Sequence, residues 1–78
     1  MNDFASKILA LDFQSVRFVY SGETYIFSSD LILTWQDGSG EGIRMYDSRE
    51  EFLGDTVFYG RNVSEIENEL EQVVFKLV

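Results

Sequence analysis

The stretch that decides the fold is Val16-Arg17-Phe18-Val19-Tyr20-Ser21-Gly22-Glu23-Thr24-Tyr25-Ile26-Phe27. Val16, Phe18 and Tyr20 alternate with Arg17 and Val19, the period of two that sends successive side chains to opposite faces of a half-buried strand. Gly22-Glu23 interrupts the run, and glycine at the first central position suits a type II′ hairpin turn. That register sets Tyr20 opposite Tyr25 and Phe18 opposite Phe27. Val16, Phe18, Tyr20, Tyr25 and Phe27 then share one face, which reads as the core face packed against helices.

Downstream of this hairpin, Ser28-Ser29-Asp30 is a polar break, after which Leu31, Leu33 and Trp35 alternate with Ile32, Thr34 and Gln36 as a third strand. Asp37-Gly38-Ser39-Gly40-Glu41-Gly42 is a glycine-rich loop, and Ile43 to Tyr46 resumes an extended pattern as the fourth strand. Upstream, Asp3 is a capping residue for a short amphipathic helix ending at Asp12, with Phe4, Ile8 and Leu11 on one face. After Asp47 the period returns to helical. Ser48 with Glu51 forms a capping box for a helix of one or two turns that Gly54 ends, and Val57-Phe58 is an apolar connector closed by Gly60. Asn62 with Glu65 repeats the capping logic, and Val63, Ile66, Leu70 and Val73 line one face of a longer helix. The β-branched tail Val74-Phe75-Lys76-Leu77-Val78 is compatible with fraying, with extending that helix or with adding an edge strand.

The expected fold is therefore α+β in one domain over residues 1–78: an N-terminal helix, a four-stranded antiparallel meander, and a C-terminal short helix and longer helix packed on one sheet face. The expected core is Phe4, Ile8, Val16, Phe18, Tyr25, Phe27, Leu33, Trp35, Phe52, Leu53, Ile66 and Leu70.

Composition narrows function by exclusion. The 78 residues contain neither cysteine nor histidine, which removes disulfides, Cys/His zinc sites, cysteine nucleophiles and imidazole acid–base chemistry. No serine sits near a plausible base, and paired carboxylates would need a cleft that so small a domain has little volume to supply. The chain reads as a non-enzyme without a cofactor. Fourteen acidic against six basic residues give a net charge of −8, which opposes contact with phosphate backbones or anionic lipid and favours basic partners. No apolar run is long enough for a signal core or a membrane span, so the expectation is a cytoplasmic protein, a monomer or small homo-oligomer.

Two patterns invite a binding site. In Asp37 to Gly42, oxygen donors at alternate positions with glycine at the sixth echo an EF-hand loop, but the twelfth position is Ser48 instead of a bidentate glutamate and the flanks read as strands. A hairpin loop with no specific metal site is expected there. The second pattern is acidic. Asp47, Glu50, Glu51, Asp55, Glu65, Glu67, Glu69 and Glu71 face only Arg49 and Arg61 between Asp47 and Gln72, so this segment carries −6 of the −8. On a continuous last helix Glu65/Glu69 and Glu67/Glu71 would be like-charge pairs at i, i+4 spacing, each costing about 0.2–0.5 kcal/mol. These eight acids are the candidate partner-binding residues, presenting a negative surface to a basic groove such as that of a nucleic-acid-binding protein. The plainer reading is a solubilising face. A structural or self-associating protein with an apolar interface, through the aromatic sheet face or the Val73 to Val78 tail, is the alternative from a different class.

The run Phe52-Leu53-Gly54-Asp55-Thr56-Val57-Phe58-Tyr59-Gly60-Arg61-Asn62-Val63-Ser64-Glu65-Ile66 resembles small, acidic, mostly uncharacterised proteins of phages, prophages and Gram-positive bacteria. The resemblance is strongest over Asp47 to Leu70, implies a short acidic helix, an apolar connector and a glycine-led capped helix after a small meander, and implies no catalytic residues. Small acidic phage proteins include inhibitors of host defence, among them anti-CRISPR proteins that resemble nucleic acid to their targets; this likeness is one of class and charge alone.

Overall fold

The computed structural model describes residues 3–37 and 40–78, with the side chain of Asp37 outside that description. The glycine-rich loop expected between the third and fourth strands thus lies in part outside the described residues.

Helix α1 (Phe4–Ala10) leads into β1 (Phe13–Tyr20), β2 (Glu23–Ser28), β3 (Ile32–Asp37) and β4 (Gly40–Met45). Helix α2 (Arg49–Gly54), a single helical turn α3 (Val63–Ile66) with a 3-10 turn over Glu67–Glu69, and a last strand β5 (Glu71–Leu77) complete the chain. The α+β class and the antiparallel meander are as expected. The strand order is β4-β3-β2-β1-β5, so the C-terminus returns to pair antiparallel with β1 and the sheet has five strands.

The longer C-terminal helix expected from Val63 onward is therefore corrected. Its apolar spacing at 63, 66, 70 and 73 is real, but Val73 and Phe75 also alternate with Val74 at period two, and β-branched and aromatic residues fit a pleated surface. A helix there would have left the outer edge of β1 unpaired and stacked like-charged glutamates on themselves. A strand satisfies the edge and relieves the repulsion. Of the three conformations compatible with the tail, the edge strand is the one adopted.

The central hairpin forms with a corrected register. Tyr20 pairs with Glu23, Phe18 with Tyr25 and Val16 with Phe27. The turn residues are Ser21 and Gly22, both at positive φ (53° and 80°), which is the requirement of a type I′ turn, so the expected II′ turn is displaced by one residue. Because the pairing slips by two positions, an even number, every side chain keeps its face and the core assignment survives. β1 also begins three residues earlier than Val16. A register shift between Phe13 and Ser15 marks a bulge, which lets Phe13 and Val16 both point inward although they are three apart.

One face of the sheet holds the core. Phe4, Ile8, Val16, Phe18, Tyr25, Phe27, Leu33, Phe52 and Ile66 are buried as expected, and Trp35, Leu53 and Leu70 are half-buried against them. Tyr20 is also buried on the expected core face, and Phe13, Tyr46, Phe58 and Val63 complete the cluster. Phe58 touches Phe18, Tyr20, Tyr25 and Phe52 with centroids 5.0 to 6.4 Å apart, and Phe52 stacks on Phe27 at 4.0 Å. Such rings can each remove about 150–250 Å² from water, which lets a short chain build a core without disulfides. The opposite sheet face is open, and Ile26, Ile43, Met45 and Val74 are exposed on it. Among the described residues no helix is long and apolar enough to cross a membrane.

Candidate partner-binding surface

Helix α2 opens at Ser48 as expected, but with only the Ser48 half of the expected capping box. The Ser48 hydroxyl accepts the Glu51 amide at 3.1 Å and relieves one of the orphaned donors of the first turn. Phe52 points into the core, so Asp47, Glu50 and Glu51 are left on the outside, all exposed. The only cation in the helix turns the other way. Arg49 donates from Nη1 to the carbonyls of Ile8 and Leu11, both at 2.8 Å, and its guanidinium lies 4.4 Å over the Phe13 ring. It satisfies acceptors at the C-terminal end of α1 and joins the two helices.

The other nearby cations are also engaged. Arg44 reaches Asp55 at 3.7 Å, Lys7 reaches Asp3 at 3.5 Å, and Arg61 pairs with Glu69 at 2.7 Å while donating to the Tyr20 hydroxyl and the Glu65 carbonyl. None of Asp47, Glu50 and Glu51 takes part in an ion pair among the described residues. A shallow groove beside α2, lined in part by Arg44, Tyr46, Glu51 and Asp55, adjoins this acidic end. No family model, curated protein or solved structure matches this chain. The functional reading therefore rests on the geometry of the chain itself.

The eight candidate acids differ in what they bind within the chain. Asp55 accepts the Tyr46 hydroxyl at 2.8 Å as well as pairing with Arg44. Burial, reinforced by that bond to the Asp55 carboxylate, holds the Tyr46 phenol far above its ordinary pKa. Glu65 completes a capping box with Asn62: its carboxylate accepts the Asn62 amide at 2.9 Å while the Asn62 side chain accepts the Glu65 amide at 3.2 Å. Glu69 holds Arg61. Glu71 lies on β5, opposite Val19, on the open face. The like-charge ridges Glu65/Glu69 and Glu67/Glu71 do not exist, because the helix that would have built them ends at Ile66.

Glu67 has a task the sequence did not suggest. Its carboxylate accepts the Ala5 amide at 3.2 Å, in the first turn of α1, whereas the Asp3 side chain makes no capping bond and pairs with Lys7 instead. The cap expected from Asp3 is thus supplied across 62 residues of chain. No local signal could reveal it, since a side chain acting as a remote cap leaves no spacing pattern. Glu23 is a second acceptor missed by sequence reasoning, taking bonds from the hydroxyls of Tyr25 (3.2 Å) and Tyr59. Burial first, then the adjacent Glu23 charge, pushes the Tyr25 phenol far above its ordinary pKa.

Among the described residues no group of three or more acidic side chains is placed to hold a metal ion. The loop expected over Asp37 to Gly42 is shorter than that, since Asp37 ends β3 and Gly40, Glu41 and Gly42 open β4 in register with it, while Gly38 and Ser39 lie outside the described residues.

Proposed function

We propose that this chain is a non-enzymatic acidic interaction protein that docks the α2 end of its helical layer, centred on Asp47, Glu50 and Glu51, against a basic surface of a protein partner. The observation that carries the reading is the inward turn of Arg49: the one cation that could neutralise these acids from within the helix is committed to the carbonyls of Ile8 and Leu11. The negative charge of this end is therefore left for solvent or for a partner. Carboxylates arrayed on a rigid element match a groove that otherwise takes phosphates, so the partner class is a nucleic-acid-binding protein, with no direct contact between this chain and nucleic acid or membrane. In this reading the chain is an inhibitor of the phage or mobile-element kind, anti-CRISPR-like by class and charge, acting in the cytoplasm of a bacterial host. Asp55, Glu65, Glu67 and Glu69 contribute mainly by holding the layer together, and Glu71 is outside the docking face.

The test is capture of partners from a bacterial lysate at low and high salt, with and without competing DNA or RNA. Docking between exposed charges is screened over about 10 Å at roughly 0.1 M salt, so retention should fall steeply with salt and with competing nucleic acid. Retention indifferent to both would defeat the proposal.

A further inference from the structure

The two edges of the sheet differ in how they end the core. At β4 the core-side positions are Gly42 and Arg44, paired with Trp35 and Leu33, so a glycine and a charge close the apolar layer. At β5 the core-side positions are Val73, Phe75 and Leu77: Val73 and Phe75 are only half-buried although packed against the core, with Phe75 5.6 Å from Phe13 and 5.9 Å from Phe4, and Leu77, which pairs with the buried Phe13, is exposed. The apolar layer therefore runs out to the β5 edge and stops there without a cover among the described residues.

The backbone at that edge is equally open. Val78 donates its amide to the Asp12 carbonyl at 3.2 Å, on the β1 side. Strand alternation then turns the N–H and C=O groups of Phe75 and Leu77 away from β1, where no neighbouring strand stands in the order β4-β3-β2-β1-β5. On the open face the same strand presents Glu71, Val74 and Lys76, because these pair with Val19, Arg17 and Ser15, which lie on the outer side of β1. Neither Glu71 nor Lys76 takes part in an ion pair among the described residues.

This arrangement is self-complementary. We infer that β5 pairs antiparallel with β5 of a second copy of this chain, about a two-fold axis at Val74, to give a continuous ten-stranded sheet. In that register Val74 meets its own counterpart on the open face, Val73 meets Phe75 of the other copy on the core face, and Lys76 lies beside the Glu71-Gln72 stretch of the other copy, twice. Phe75 bonds through the backbone groups that point outward. The positive φ at Gln72 (52°) and the register shift between Arg17 and Val19 bend the start of the strand, which confines regular pairing to Val73 onward. So short a ladder is smaller than a standard stable interface of about 1,200–2,000 Å², and two copies of charge −8 repel, so the dimer is weak and strengthens as salt screens that repulsion. This is the reverse of the salt dependence of acidic docking, and the inference stands independently of the proposed function.

Sedimentation of the full chain over a range of concentrations, at low and high salt, reads the association directly. A mass rising from 9.0 kDa toward twice that value with concentration, and at lower concentration in high salt, is the expected result. The register is tested by charge exchange at intermediate salt. Lys76→Glu alone and Glu71→Lys alone should each weaken the dimer about tenfold or more, and the double variant should restore it, because the exchanged charges meet again across the two-fold axis. Val74→Lys, at an exposed position, should abolish association while circular dichroism shows the monomer still folded. A chain that stays at 9.0 kDa under all conditions overturns the inference. So does a dimer that survives Val74→Lys, or one that the double exchange fails to rescue.

Discussion

Replacing Arg49 by methionine keeps the apolar stem of the side chain and deletes its charge and donors. Two bonds from a charged donor to the Ile8 and Leu11 carbonyls are lost, together with the guanidinium over Phe13. Hydrogen bonds involving a charged group contribute about 1.5–3 kcal/mol each and a stacked cation about 0.5–1 kcal/mol, but Arg49 is only half-buried, so water can partly replace it. A net loss of about 2–4 kcal/mol is expected, against a total stability of roughly 4–12 kcal/mol for a chain of this length. At about 4–8 °C per kcal/mol, the Tm should fall by about 8–32 °C. Arg49→Lys retains the charge but not the planar fork, and should lose about half as much. Thermal and urea unfolding followed by circular dichroism measure both. An Arg49→Met variant melting within about 2 °C of the parent would refute the assignment of Arg49 as the tie between α1 and α2. It would also remove the reason for which the acids of α2 lack an internal counter-ion.

Other outcomes follow from single contacts. A methyl group on Gly42 would lie 2.1 Å from Cε2 of Trp35, so Gly42→Ala should displace the indole, cost about 1–3 kcal/mol and red-shift the tryptophan emission as the ring moves into water. Glu67→Ala removes the remote cap of α1 and should cost about 0.5–2 kcal/mol, with faster hydrogen exchange at the Ala5 amide, whereas Asp3→Ala should change stability by less than about 0.5 kcal/mol. The phenols of Tyr25 and Tyr46 are held protonated in the folded state, so the unfolded chain releases those protons first, near pH 10, and stability should fall as pH rises past about 10. Tyr46→Phe should make that fall shallower in alkaline urea titrations while costing about 1 kcal/mol at neutral pH through the lost bond to Asp55.

What was legible in the sequence is what local periodicity encodes. Val16, Phe18, Tyr20, Tyr25 and Phe27 declare their face by alternation, and the slip of the hairpin by two positions left that face unchanged. The caps at Ser48 and Asn62 were readable because each acceptor and its amide lie three residues apart. The failures have a common physical cause in contacts distant along the chain. Phe13 is hidden by a bulge that breaks the period, and β5 is a strand because β1 has an edge to fill, a demand invisible within Val63 to Val78. The acidic segment shows the same limit. Its composition was plain, but Asp55, Glu65, Glu67 and Glu69 are bound into the structure by Tyr46, Asn62, Ala5 and Arg61, and only the fold separates them from Asp47, Glu50 and Glu51.

The most direct test of the docking role compares two variants of equal net charge. Glu50→Lys with Glu51→Lys reverses the α2 end, and Asp30→Lys with Glu41→Lys reverses two exposed acids elsewhere; each pair moves the net charge from −8 to −4, since every reversal adds two. With both confirmed as folded by circular dichroism, the quantity to measure is the amount of each partner protein captured from lysate at low salt, relative to the parent chain. The α2 variant should lose its salt-sensitive partner while the control keeps it. Equal loss from both variants, or full retention by the α2 variant, would contradict it.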